Sequence, residues 1–139
     1  MSAMRYLRIH ADEAGESHLE DVDADVQPTA ATWSAVAVEH SVPFEVRTAF
    51  FRRLRGDDTS GEPHNSPRRQ LIISLDGACE VRTSDGDVRR LGPGTVALVE
   101  DLTGIGHWTR LISDGADDAE GEATVFVVTL ADDPAGPGS

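Results

Sequence analysis

Short stretches in which apolar and polar residues alternate recur along this chain. A period of two is typical of β-strands that bury one face, whereas apolar residues at helical spacing do not persist over the length of an ordinary helix. The segments predicted as strands are residues 33–40, 44–54, 70–75, 78–83, 87–91, 95–100, 106–113 and 123–130. Short strands at this spacing indicate an antiparallel β-sandwich or β-barrel, so the fold class is all-β.

Turn signals and acidic stretches separate these segments. Asp76-Gly77 predicts a tight hairpin between two of them, and Gly92-Pro93-Gly94 is a strong strand breaker. Residues 11–29 are acidic and poor in apolar side chains, so we expect a long, partly ordered loop there. Residues 114–122 are expected to form an acidic surface loop.

The length of 139 residues suits one domain. We expect that domain to span residues 1–131 and residues 132–139 to form a disordered tail. The only cysteine, Cys79, has no internal disulfide partner and is expected to be a buried, unreactive thiol. Neither a membrane-spanning apolar run nor a signal-peptide core is evident, so a cytoplasmic location is expected.

Negative charge dominates the composition, with 25 acidic residues against 12 basic ones and a net charge of −13. This balance argues against partners such as nucleic acid or an anionic membrane surface, which require a basic face. All basic residues are arginines. Without a lysine, the chain can neither form a Schiff base with pyridoxal phosphate nor supply a P-loop lysine, so neither that cofactor nor a nucleotide is expected.

Two of the five histidines stand out by their position. His64 precedes the apolar segment 70–75, and His107 opens the segment 106–113, whereas the other three are expected at the surface or in structural roles. Strand alternation places Gln70 on the same face as Ile72, and His107 on the same face as Thr109. Inside a closed barrel, His64, Gln70 and His107 are therefore expected to meet in one pocket.

These residues resemble the two motifs of the cupins, which are small jelly-roll barrels. The first cupin motif runs His-x-His, three or four residues, Glu, six residues, Gly, and here these positions hold His64, Ser66, Gln70 and Gly77. The second motif places a histidine three residues after a glycine, as Gly104 and His107 do, while Leu102 and Leu111 replace its proline and asparagine. The stretch 67–110 is similar to a branch of short cupins. The resemblance, carried by residues 62–112, implies a double-stranded β-helix (jelly-roll) cupin barrel.

The resemblance also implies a metal site and a dimer. Cupins bind a divalent metal through three histidines and a glutamate, so the candidate ligands here are His64, Gln70 and His107, for Fe, Zn, Ni or Mn. Loss of one imidazole and of the carboxylate weakens such a site, so an empty but polar pocket is the alternative. A homodimer is expected, with the first strand, around residues 4–10, pairing with the partner's sheet.

Candidate catalytic and substrate-binding residues surround this pocket. His107 and one of two adjacent carboxylates, Glu100 and Asp101, are candidates for acid–base chemistry. Glu100 is preferred because Val96 and Leu98, which share its face, are bulkier than the residues of the other face. Substrate-binding candidates are Arg68, Gln70, Trp33 and Phe51, since one arginine of the pair 68–69 and one phenylalanine of the pair 50–51 should point inward.

The predicted function is action on a small organic molecule inside the barrel. An enzyme of the lyase, isomerase, cyclase or oxygenase type is favoured because polar side chains converge on the barrel interior. The alternatives are a metal-free ligand-binding or sensing cupin without catalysis and an interaction protein whose barrel is only a scaffold. The substrate itself is not fixed by these residues.

Overall fold

The fold is all-β. A computed structural model describes residues 4–30, 32–56, 61–112 and 121–131, and within them it contains strands and no helix. The strands are β1 (Met4–Ala11), β2 (Ser17–Ala24), β3 (Gln27–Thr29), β4 (Val38–His40), β5 (Val46–Gly56), β6 (Gln70–Asp76), β7 (Ala78–Thr83), β8 (Val88–Leu91), β9 (Val96–Val99), β10 (His107–Ile112) and β11 (Gly121–Leu130). Among these residues, no helix has the length and apolarity needed to cross a membrane.

Two sheets enclose the core. The larger has six strands in the order β2-β1-β9-β6-β11-β5, with β1 and β9 parallel and its other neighbours antiparallel, and the smaller has the antiparallel order β10-β7-β8. The strands β3 and β4 form a separate hairpin. Ile9 and Val99 of the larger sheet pack with Val81 and Leu91 of the smaller one, so the apolar core lies between the sheets.

Most of the predicted strands are present, but two predictions along the chain are wrong. Residues 11–29 are not a loop, because β2 and β3 lie there, and β2 pairs with β1 along its whole length. Of residues 33–40, only the last three form a strand. The acidic stretch from residue 114 to residue 120 and the tail 132–139 lie outside the described residues.

β1 has a neighbouring strand of the same chain on both sides. It pairs with β2 along its whole length and with β9 over residues 7–9. The outer strands of the larger sheet are β2 and β5. Outside residues 7–9, one side of β1 pairs with no described strand, so the pairing of residues 4–10 with a partner's sheet stays a prediction.

Candidate functional site

A cavity of about 470 Å³ lies between the two sheets. Its volume is within the range of small-molecule sites, roughly 300–1,000 Å³. Most of its walls are apolar side chains from both sheets: Ile9, Leu54, Ile72, Val81, Leu91, Ala97, Val99, Leu111 and Val125. Pro67 and Cys79 also line it, and the polar and charged side chains of the lining are Arg52, Arg55, His64, Ser66, Gln70, His107 and Thr109.

His64 and His107 line this cavity together with Gln70, as predicted. The ring centroids of the two histidines are 4.5 Å apart. Their backbones form an antiparallel bridge in which each N–H donates to the other residue's carbonyl at 2.9 Å. Gly106 permits this close approach, because its φ is +89° and a Cβ there would lie 2.4 Å from the carbonyl oxygen of His64.

The side chain of His107 is held by Asp101. Nδ1 of His107 lies 2.5 Å from Oδ2 of Asp101, whose side chain is fully buried. Within the described residues, Oδ1 of Asp101 has no hydrogen-bond partner, so His107 is the polar group that compensates this carboxylate. An ionised carboxylate can only accept hydrogen bonds, so with Asp101 ionised the hydrogen between the two groups is on Nδ1 of His107. In the neutral ring, Nε2 of His107 is then the hydrogen-bond acceptor.

The choice of Glu100 as the inward carboxylate is corrected to Asp101. The cavity face of β9 carries Ala97 and Val99, and alternation continues this face to Asp101. Ala97 is small, so it leaves room for the cavity, and the larger Leu98 is buried on the opposite face. The size of the side chains was therefore the wrong criterion, because a face that lines a cavity favours small residues.

Glu100 instead belongs to an ion-pair cluster. Nε of Arg8 donates to its Oε1 at 2.6 Å, and Nε of Arg69 donates to its Oε2 at 2.7 Å. Burial alone would raise the pKa of Glu100, but the hydrogen bonds and charges of the two arginines outweigh it and lower that pKa. A carboxylate stabilised in its ionised form by two guanidinium groups is poorly suited to donate a proton near neutral pH.

Three of the predicted substrate-binding residues lie outside the cavity. Trp33 lies in a turn before β4 and is 75% exposed. Phe51 is 72% exposed and packs edge-on against Phe126, on the face of the larger sheet opposite to the cavity. Arg68 is exposed, and its carbonyl accepts a hydrogen bond from Oγ of Ser66. Alternation identifies two faces of a strand, but it does not say which of them is buried.

Arg52 is a cavity residue that the sequence prediction missed. It shares the inner face of β5 with Leu54, and both line the cavity. The run Phe50-Phe51-Arg52-Arg53 repeats each residue type, so the periodicity of the run does not select either face. Its position two residues before the inward Leu54 is the signal that would have identified it.

The residues present do not fit the metal site that the resemblance implies. Ser66 replaces the second histidine, and its Oγ donates to the carbonyl of Arg68 at 2.6 Å. Gln70 supplies a neutral amide rather than a carboxylate. Nowhere in residues 4–30, 32–56, 61–112 and 121–131 do three His, Cys, Asp or Glu side chains group as metal ligands. Two imidazoles and an amide make a weak donor set for a divalent metal.

Comparisons with known proteins give little support for a family. No protein-family model matches the chain, and no curated protein matches it. Among solved structures, the chain is similar to the crystal structure of protein NMB1881 from Neisseria meningitidis, with a TM-score of 0.41 and 16% sequence identity. That similarity covers 68% of this chain and 89% of the other.

Proposed function

We propose that this protein is a cupin-like enzyme that moves protons on a small organic molecule without a resident metal. The observation that carries the proposal is the pair formed by Asp101 and His107 at the cavity wall. A buried carboxylate that holds one ring nitrogen of a histidine leaves the other nitrogen to act as a base. The cavity and the two facing sheets support a jelly-roll barrel as the finer description of the fold.

The proposed reaction starts at a carbon next to a carbonyl group. Nε2 of His107 takes a proton from that carbon, and the electron pair of the broken C–H bond moves to the carbonyl oxygen, which becomes an enolate. Asp101 stabilises the imidazolium that forms, because its charge lies at Nδ1. The amide of Gln70, which lines the same cavity, is a donor for the enolate oxygen.

The imidazolium then returns the proton. Delivery to the opposite face of the same carbon, or to the far carbon of a conjugated dienolate, re-forms the carbonyl and gives an isomerisation. In an elimination, the enolate re-forms the carbonyl, its electron pair makes a C=C bond, and a group on the next carbon leaves with its bonding pair and takes the proton from the imidazolium. Both the isomerase and the lyase types therefore fit this site. The alternative is a ligand-binding protein without turnover. The predominantly apolar walls favour that alternative, since they would hold a ligand without acting on it.

Hydrogen–deuterium exchange tests the proposal directly. Cyclohexanone and 2-hexanone are incubated with the protein in D₂O, and deuterium at the carbons next to the carbonyl is followed by NMR. We expect the wild type to accelerate exchange and His107→Gln to lower the protein-catalysed rate by about 10²-fold or more. His40→Gln is the matched control, because His40 is exposed in the β3–β4 hairpin. Equal rates for wild type and His107→Gln would contradict the proposal.

A second measurement separates positioning from folding. Asp101→Asn keeps the shape of the side chain and removes its charge. Imidazole ¹⁵N NMR shows which nitrogen carries the hydrogen, and we expect the Nδ1–H form in the wild type and a mixture of both forms in the variant. A variant with unchanged imidazole signals and unchanged exchange would remove Asp101 from the mechanism.

A homodimer is also proposed, through the outer face of the larger sheet. Register places Phe51, Phe126, Ile73 and Val96 side by side on the face opposite to the cavity, as an apolar row across four strands. Six strands of about eight residues, at about 4.8 Å spacing and about 3.4 Å per residue, give a face of roughly 700 Å². A stable dimer buries about 800 Å² per partner, so this face has a suitable size for a second copy. The cytoplasmic location stays a prediction.

A further inference from the structure

The cavity combines apolar walls with a guanidinium group that has no carboxylate partner among the described residues. Arg52 lines the cavity from β5, and its guanidinium carbon lies 5.5 Å from the centre of the Phe50 ring. No carboxylate of residues 4–30, 32–56, 61–112 and 121–131 lies within ion-pair distance of it. The other arginine in the lining, Arg55, has its Nε 3.6 Å from Glu122.

The charge of Arg52 is unusual in this chain. The net charge is −13, and seven other arginines form ion pairs with acidic residues, as Arg8 does with Glu20 and Glu100. Arg68 and Arg82 also have no ion pair with a described residue, but neither of them lines the cavity. A partly buried guanidinium beside apolar walls costs free energy of desolvation unless an anion accepts its hydrogen bonds. None of the described acidic side chains supplies that anion, so the guanidinium of Arg52 can bind the anionic group of a ligand.

We propose that the cavity binds a small organic acid, with its carboxylate at Arg52 and its apolar body against the cavity walls. This rests on the proposed function, because it names the substrate class of the same site. A guanidinium donates two parallel hydrogen bonds to a carboxylate, and that geometry orients the ligand as well as attracting it. The body of the ligand then extends among Ile72, Val81 and Val125.

A carboxylate fits this site better than a phosphate ester. Among the described residues that line the cavity, Arg52 is the one arginine without a carboxylate partner. A doubly charged phosphate usually requires several such donors, whereas one guanidinium is enough for a carboxylate. The rest of the lining is apolar or neutral apart from the histidines and Arg55. A monocarboxylate with an aliphatic or aromatic body therefore matches both the charge and the polarity of the cavity.

Binding of octanoate and of octanamide tests this inference. The two probes share their aliphatic chain and a planar head group, and they differ in charge. Dissociation constants are measured by NMR titration of the cavity methyl groups. We expect the wild type to bind octanoate at least about tenfold more tightly than octanamide, and Arg52→Gln to abolish this preference.

Arg53→Gln is the matched control. Arg53 is the next residue on the same strand, it is exposed, and its Nε lies 3.3 Å from Glu122, so its loss should leave the preference within about twofold. Arg52→Met, which keeps an apolar stem, guards against a folding defect, and its urea midpoint is compared with that of the wild type. Octanamide binding as tightly as octanoate, a preference retained in Arg52→Gln, or no binding of either probe would overturn the inference.

The two proposals fail in different ways. His107→Gln should lower the rate of exchange on the neutral ketones by about 10²-fold or more, whereas Arg52→Gln should remove the preference for octanoate over octanamide. Retained carboxylate preference without any ketone exchange would refute the enzyme and leave the ligand class standing. Ketone exchange that depends on His107, without carboxylate preference, would refute the ligand class and leave the enzyme standing.

Discussion

Replacing Gly106 by alanine tests whether the two histidine segments depend on close backbone contact. The added Cβ would lie 2.4 Å from the carbonyl oxygen and 2.6 Å from the carbonyl carbon of His64, so one of the two segments must move. An L-residue at this positive φ costs about 1–2 kcal/mol. Loss of the two backbone hydrogen bonds between His64 and His107 adds about 1 kcal/mol each. The expected loss of unfolding free energy is therefore about 3–4 kcal/mol.

Gly94→Ala is the matched control for this substitution. Gly94 has a φ of +92°, close to the +89° of Gly106, and no atom lies within 4 Å of the position of its added Cβ. The free energy of unfolding of this variant should fall only by the cost of the left-handed backbone conformation, about 1–2 kcal/mol. Urea denaturation of both variants and of the wild type gives the change in unfolding free energy for each substitution, provided that the m-value is the same in all three proteins. Equal destabilisation of the two variants would refute the reasoning, because the contact with His64 would then contribute nothing.

Three further predictions concern other parts of the molecule. The pKa of His18 is raised, first by its hydrogen bond with Asp12 and also by that with Asp85. The stability that this raised pKa contributes is fully present below the unfolded pKa of about 6.5, and it is lost as the pH rises through the folded pKa. The Tm of the wild type should therefore exceed that of His18→Gln by less at about pH 8 than at about pH 5.5. A Tm difference that grows over this range would contradict the prediction. Burial raises the pKa of the Cys79 thiol, so iodoacetamide should label native protein about 10²-fold more slowly than urea-unfolded protein, and fast native labelling would disprove the protection. Phe51→Asp should convert the proposed dimer to monomer in sedimentation equilibrium, and an unchanged dimer would place the interface elsewhere.

β11 could be predicted from sequence because apolar and β-branched residues occupy both of its faces. Val125 and Val127 are buried, while Phe126 and Val128 on the other face are only partly buried. β2 was missed for the opposite reason. Its side chains are largely polar, and its place at the sheet edge depends on pairing with β1 and on ion pairs such as that of Arg5 with Asp23, which join residues far apart in sequence.

Periodicity could not predict which member of an adjacent pair of similar residues points into the cavity. Glu100 and Asp101, and likewise Phe50 and Phe51, place the same kind of side chain on both faces of a strand or its extension. Which member points inward depends on the space between the sheets, and Ala97 leaves that space on the Asp101 side. His64 and Gln70 line the same cavity, and the irregular segment between them leads directly into β6.

Asp101 shows why the site is assembled from loops and not from strand faces alone. Its carbonyl accepts hydrogen bonds from the backbone N–H of Ser66 and from Nδ2 of Asn65, both at 3.2 Å, while its side chain holds His107. One residue thus positions the segment after His64 through its backbone and the ring of His107 through its carboxylate. A buried carboxylate with one unpartnered oxygen is costly for stability alone, since an apolar residue would fill the same space at less cost. The proposed proton transfer gives this carboxylate a role, because its contact with Nδ1 fixes the orientation of the His107 ring beside the cavity.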